Sequence, residues 1–145
     1  MLEVFRKLHD EKKVRCFYVG GALGVDMWAG ELILRLKEQP GYGDIELVVV
    51  LPFEGHDSKW DERSKRRMDF LLRMCSDCVV IGKEDCRENY IKRNCYMVDH
   101  ADYLVAVYDN ERNLRSGTMQ TVRYAQNKGI TISFVNPDTA TVTTN

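Results

Sequence analysis

The chain has 145 residues, a length typical of one domain with a single hydrophobic core. Its composition, 44% hydrophobic and 30% charged, is that of a soluble globular protein, and 21 basic against 22 acidic residues give a net charge of −1. This balance excludes a global field that would attract nucleic acid or an anionic membrane, so any anion site must be local. The longest apolar runs, such as residues 47–51, are too short to span a bilayer, and the charged first dozen residues do not form a signal peptide.

The five cysteines are odd in number and scattered along the chain. Without an export signal they indicate reduced thiols and a cytoplasmic location. Cys75 and Cys78 have the spacing of half a zinc site, but no second pair of ligands in a comparable knuckle is present. We therefore predict buried free cysteines at this point, no metal and no cofactor.

The hydrophobic pattern alternates between helices and strands. In chain order we predict a helix over residues 2–14, a strand over 16–19, a helix over 25–39, a strand over 45–51 that Pro52 ends, a helix over 60–75, a strand over 78–82, a helix over 89–100, a strand over 103–108, a helix over 117–128 and a strand over 130–135. Strands separated by helices imply right-handed crossovers and a mostly parallel sheet of about five strands between two helical layers. The sequence thus predicts a Rossmann-like three-layer α/β/α fold in one domain, residues 1–136, followed by a flexible polar tail, residues 137–145.

A glycine turn joins the first predicted strand to the second predicted helix. Gly20, Gly21 and Gly24 carry no side chains that block approach, so backbone N–H groups and the positive end of the helix dipole can face an anion, usually a phosphate. A glycine cluster alone also occurs in ordinary tight turns, but the strand before it and the helix after it favour nucleotide binding. Asp26 either complements the helix dipole or accepts hydrogen bonds from ribose hydroxyls.

A second break of the same kind, Ser116-Gly117-Thr118, opens the last predicted helix. It is either an ordinary N-cap or a second contact for the same phosphate. In parallel α/β sheets, ligands bind beyond the carboxyl ends of the strands. The segment 52–56, with Glu54 and His56, follows one predicted strand there, and Asp109 follows another. The two breaks and these two segments are therefore predicted to share one edge of the sheet.

Other polar residues have common structural explanations. His56 and Trp60 are candidates to bind or stack a base, although a loop histidine is more often incidental and a helical tryptophan more often core. Arg93 has the character of a solvated helix charge when its neighbours alone are considered. A basic run mixed with acidic residues is typical of a solvated helix face, with a nucleic-acid patch as the alternative; its members are Lys59, Arg63, Lys65, Arg66 and Arg67.

With these residues placed, the chain resembles the YpsA-like (DUF1273) branch of the SLOG superfamily, Rossmann-like domains related to the DNA-processing protein DprA and the LOG phosphoribohydrolases. The resemblance covers nearly the whole chain. It rests on residues 20–29 (GGALGVDMWA), 51–54 (LPFE), 93–94 (RN), 97–102 (MVDHAD), 108–109 (YD) and 116–118 (SGT). It implies a nucleotide or nucleotide-derived ligand over the glycine turns, of the ADP-ribose or nucleoside monophosphate type, with Arg93 adding charge to the phosphate clamp.

The chain departs from this resemblance at its start. Relatives of this type begin with one more strand, carrying a Thr-Gly-His-Arg-like segment, whereas this sequence opens on the helix that would follow it. The strand is then supplied from upstream, trimmed away, or contributed by a neighbouring chain. The last alternative predicts a homodimer or a swapped strand.

The second departure concerns catalysis. The LOG enzymes place a glutamate three residues after the threonine of the Gly-Thr pair, where this chain has Thr121. A carboxylate can stabilise the oxocarbenium-like state of N-glycosidic cleavage, and a threonine hydroxyl cannot supply that charge. We therefore expect a binding or sensing module. The alternatives are a hydrolase of nucleoside 5′-monophosphates that uses Arg93, Glu54 or Asp109, and a DprA-like binder of single-stranded DNA.

Overall fold

The computed structural model describes residues 1–107, 116–136, 139 and 141–145, and these residues form five helices and six strands. Their order is α1 (Leu2–Lys12), β1 (Cys16–Val19), α2 (Val25–Lys37), β2 (Glu46–Phe53), α3 (Glu62–Met74), β3 (Asp77–Gly82), α4 (Arg87–Asp99), β4 (Tyr103–Val107), α5 (Ser116–Lys128), β5 (Thr131–Val135) and β6 (Val142–Thr144). The predicted alternation of helices and strands is confirmed through β5. The short β6 lies in the stretch expected to be a polar tail.

The strands form two sheets of three. The first has the order β1-β2-β3 with all neighbours parallel, and the second has the order β4-β5-β6, in which β4 and β5 are parallel and β6 is antiparallel. The chain divides into two compact units, the N-terminal unit (Leu2–Arg93) and the C-terminal unit (Asn94–Asn145 with Met1). Each unit contains one sheet, and α4 continues from the N-terminal unit into the C-terminal unit. The protein thus has the mixed α/β fold, consistent with a Rossmann-like one, that the sequence predicts.

The core of the N-terminal unit is built around β2. All residues of this strand after Glu46 are buried, as expected for a valine-rich strand covered on both faces. Helix α2 packs close to α3 because Gly30 has no side chain; a Cβ there would lie 3.2 Å from Leu71 Cδ1. Burial of one such leucine contributes about 1.5–3 kcal/mol to stability.

Two predictions about the first sheet are wrong. The strand β2 does not end at Pro52 but runs to Phe53, because the parallel register pairs Leu51 with Val80 and Phe53 with Gly82 and needs no hydrogen bond from the proline nitrogen. Cys75 is half-buried and Cys78 is exposed, whereas both were predicted to be buried. Among the described strands β3 pairs with β2 alone, so it lies at the edge of this sheet.

The C-terminal unit has a smaller core between α4, α5 and the strands β4 and β5. Its buried members are Val98, Ala106, Val122, Ala125 and Ile132. Within the part of the chain that the structure describes, no helix is both long and apolar enough to cross a membrane.

Candidate functional site: the glycine turn after β1

The glycine turn, residues 20–24, lies at the carboxyl end of β1 and leads directly into α2. Gly21 and Gly24 have φ values of +68° and +84°, in a region that residues with side chains rarely adopt. Gly24 is the N-cap residue of α2 and makes no side-chain cap hydrogen bond. A Cβ added at Gly24 would meet no atom within 4 Å. The amino end of α2 therefore borders open space.

The first two glycines have a packing explanation instead. A Cβ at Gly20 would lie 2.6 Å from Asp26 Oδ2, and one at Gly21 would lie 2.7 Å from Leu51 Cδ2. A larger residue at either position would force these side chains to shift, whatever the turn binds. Of the three predicted glycines, Gly24 alone combines a glycine backbone conformation with open space beside it.

The carboxylate of Asp26 turns back into the glycine turn. It accepts hydrogen bonds from the backbone of Ala22 and Gly20 and interacts with the positive charge of Arg93. Burial is the largest effect and raises the pKa of Asp26, while the Arg93 charge and the two backbone hydrogen bonds offset part of that rise. Asp26 thus stabilises the conformation of the turn; its predicted contact with a ribose stays a prediction.

Arg93, on α4, is buried beside Asp26 and the glycine turn. It is only 6% exposed, it donates a hydrogen bond to the Gly20 carbonyl, and its guanidinium carbon lies 5.6 Å from the centre of the Tyr90 ring. Burial is the largest effect and lowers the pKa of Arg93, while the negative charge of Asp26 offsets part of that decrease. Because Arg93 is buried and contacts Gly20 and Asp26, its interpretation as a solvated helix charge is wrong. The neighbouring residues could not reveal this, because Asp26 is distant in sequence.

His56 provides a contact that sequence reasoning had treated as incidental. It lies in the loop after β2, and its Nε2 is 2.9 Å from the Gly21 carbonyl oxygen. A carbonyl can only accept, so His56 Nε2 is the donor. The histidine ring packs edge-to-face on Trp60, which precedes α3 rather than lying within it, with 5.1 Å between ring centres. The sequence did predict residues 52–56 at the same edge of the sheet as the turn, and the parallel pairing of β1 with β2 agrees with that position. The contact itself was not predicted.

Asn89, on α4, was not predicted as a site residue. It lies against the last residue of β3, at the carboxyl edge of the first sheet. Its buried side chain donates from Nδ2 to the Glu84 carbonyl at 2.7 Å and lies against Gly82, where a Cβ would be 2.4 Å from the amide. Glu54 follows β2 immediately and is exposed. Both residues are therefore at the carboxyl edge of the first sheet.

The second predicted break opens α5 at Ser116 as expected, with Thr118 exposed and Thr121 half-buried. Asp109 lies outside the described residues, and so do the side chain of Ser116 and the surroundings of Gly117. Their predicted contact with the ligand of the glycine turn stays a prediction.

The basic run on α3 is partly paired with acidic residues. Arg67 Nε donates to Glu31 Oε2 at 3.1 Å, and Lys65 Nζ lies 3.9 Å from Glu62 Oε1. These pairs are those of a charged, solvent-facing helix. Among the residues that the structure describes, no three His, Cys, Asp or Glu side chains are grouped in a way that could hold a metal ion.

Comparison with known proteins identifies the family of this chain. The model of the YspA SLOG family, YpsA, matches residues 1–140. The chain belongs to the YspA SLOG family. This confirms the resemblance drawn from the glycine turn and the segments that follow it.

Curated relatives that this SLOG chain matches include UPF0398 proteins. One from Bacillus cereus strain B4264 is 29% identical over 96 residues, which cover 65% of this chain and 51% of the relative. One from Staphylococcus epidermidis strain RP62A is 25% identical over 96 residues, covering 65% of this chain and 50% of the relative. The chain thus spans about half the length of the curated relatives it matches. Their names state no activity.

Proposed function

We propose that this SLOG-family chain binds a nucleotide or nucleotide-derived ligand, of the ADP-ribose or nucleoside monophosphate type, with a phosphate in front of α2. The observation that carries the proposal is Gly24, which stands at the amino end of a 13-residue helix with no side-chain cap and open space beside it. This helix follows a parallel strand directly, the position at which α/β sheets bind phosphates.

The hydrogen bonds of the turn support an assignment of the phosphate to particular amides. Asp26 already accepts from the backbone of Gly20 and Ala22. The first bond within α2 runs from Trp28 N to Gly24 O at 3.0 Å. The N–H groups of residues 25–27 precede that bond, and such groups at the start of a helix have no partner within it. We therefore assign the phosphate to the amides of residues 25–27.

The charge at this helix end is compatible with an anion. Asp26 stands in the first turn of α2, where an unpaired carboxylate would repel a phosphate. Arg93 places its buried positive charge beside that carboxylate and offsets it. In this assignment Arg93 supports phosphate binding through Asp26.

An exposed apolar surface next to the turn suits a base. Leu23, Val25 and Trp28 all expose large hydrophobic side chains. Trp28 is 50% exposed and lies one helical turn after Gly24. An indole face stacks well on a flat aromatic ring. A purine joined through ribose to the phosphate at residues 25–27 is a ligand that would use both features.

The test compares two variants that add the same charge at equally exposed positions. Leu23 is 51% exposed beside the turn and Phe70 is 45% exposed on α3, so Leu23→Glu and Phe70→Glu should both fold. Binding of AMP and ADP-ribose is measured by titration of ¹⁵N-labelled protein. A carboxylate next to the phosphate should weaken binding by about tenfold or more in Leu23→Glu, and Phe70→Glu should bind as the wild type does.

Equal affinity of Leu23→Glu and the wild type would place the ligand elsewhere. Absence of binding by the wild type to AMP, ADP-ribose and ribose 5-phosphate would overturn the proposal. The same spectra report free adenine: its appearance over hours would identify a hydrolase, against the expectation drawn from Thr121.

A further inference from the structure

The loop between β2 and α3, residues 54–61, is an ordered structure joined to the glycine turn. Within it Ser58 N donates to Gly55 O and Trp60 N to Asp57 O, each at 3.0 Å. At its end Asp61 caps α3 by accepting from Ser64 N at 2.6 Å. His56, from the same loop, donates to the Gly21 carbonyl at 2.9 Å. One side chain therefore connects this loop to the turn.

The bond from His56 acts on a single peptide group. The Gly21 carbonyl and the Ala22 N–H belong to one planar peptide unit, so any rotation of that unit moves both groups together. His56 holds the carbonyl end of this unit and Asp26 accepts a hydrogen bond from the backbone of Ala22. Because Gly21 has no side chain and a positive φ of +68°, its own backbone resists such a rotation less than another residue would.

We infer that His56 is a positioning residue of the nucleotide site: it fixes the Gly21–Ala22 peptide and so links ligand binding to the order of residues 54–61. The inference rests on the proposed function. His56 acts through the turn, because its Nε2 is engaged by Gly21 and its ring packs edge-to-face on Trp60. Leu51 also lies beside this peptide, since a Cβ at Gly21 would be 2.7 Å from Leu51 Cδ2 and 3.5 Å from His56 Nε2.

Three variants test this role. His56→Ala removes the donor, and His56→Gln restores an N–H donor of similar reach. His100→Ala is the matched control: His100 Nδ1 also bonds a backbone carbonyl, that of Tyr96 at 2.7 Å, and its ring also packs on an aromatic side chain. Melting temperatures first establish that each variant is folded.

The affinity for AMP should fall about fivefold or more in His56→Ala, return to within about twofold of the wild type in His56→Gln, and stay unchanged in His100→Ala. A second readout needs no ligand. In the free protein, amide hydrogen exchange of Ala22 should accelerate about fivefold or more in His56→Ala and revert in His56→Gln.

The two readouts separate the possible failures. If the wild type binds none of the nucleotides, the proposed function fails, and the exchange of Ala22 still decides whether His56 fixes the turn. If the wild type binds AMP but His56→Ala binds it equally well, the positioning role is overturned. Loss of affinity that His56→Gln does not restore would contradict the donor role assigned to Nε2.

Discussion

Replacement of Arg93 by methionine removes a buried cation and leaves its partner carboxylate in place. Arg93 is 6% exposed and donates to the Gly20 carbonyl. Its charge offsets part of the rise that burial causes in the pKa of Asp26. Methionine fills much of the same volume without charge. Loss of one partner of a buried pair costs about 3–5 kcal/mol, because the other charge is left without compensation. Since a domain is stable by about 5–15 kcal/mol, Arg93→Met should fold with a much reduced free energy of unfolding.

The cost should depend on pH in a known direction. Burial already raises the pKa of Asp26, and removal of Arg93 takes away the charge that lowers it. A carboxyl whose pKa is higher in the folded than in the unfolded state favours folding below its unfolded pKa, and this contribution disappears as pH rises through the folded pKa. The difference in unfolding free energy between the wild type and Arg93→Met should therefore grow as pH rises from about 4 to about 7.

Urea denaturation at both ends of that pH range measures the effect. Arg67→Met is the matched control, because Arg67 pairs with Glu31 at positions that are 42% and 29% exposed, and loss of such a surface pair costs at most about 1 kcal/mol. The double variant Asp26→Asn with Arg93→Met should be less destabilised than the sum of the single variants, by about 1–3 kcal/mol. A cost no larger than that of Arg67→Met, or one that does not change with pH, would refute the buried-pair account.

Two further predictions concern other parts of the N-terminal unit. Hydrogen bonds to Asp10 and Asp44 raise the pKa of His9, so its contribution to stability is full below about pH 6.5 and is lost as pH rises through the folded pKa. Melting temperatures between about pH 5.5 and 9 should fall more steeply in the wild type than in His9→Gln; parallel curves would argue against this contribution. Gly82→Ala should lower the free energy of unfolding by about 1–3 kcal/mol, because the new Cβ would lie 2.4 Å from the Asn89 amide, and unchanged stability would mean that Asn89 moves aside without cost.

Most of the fold could be predicted because it depends on local periodicity. The buried valines of β2 and the glycines after β1 specified a parallel α/β arrangement without any knowledge of distant contacts. The errors arose where the ends of a strand depend on its pairing with another strand. Pro52 lies inside β2 because its nitrogen is not needed for a hydrogen bond to the neighbouring strand. Residues 142–144 form a strand by pairing with β5, and the sequence alone did not show this pairing.

The site was predictable in position but not in its internal contacts. The glycine turn and Asp26 were found because strand, glycines and helix are contiguous. The contacts of the turn with Arg93 and His56 were not, because they join residues 73 and 35 positions apart. A single sequence does not indicate that a charged or aromatic side chain so far away bonds a particular backbone carbonyl.

The most direct test of the central claim is the ¹⁵N–¹H spectrum of the wild-type protein titrated with ADP-ribose. Phosphate binding in front of α2 predicts saturable shifts concentrated on the amides of residues 25–27 and on the Trp28 indole, with a higher Kd in Leu23→Glu. Shifts confined to other surfaces, or no saturable shift with ADP-ribose, AMP or ribose 5-phosphate, would contradict it.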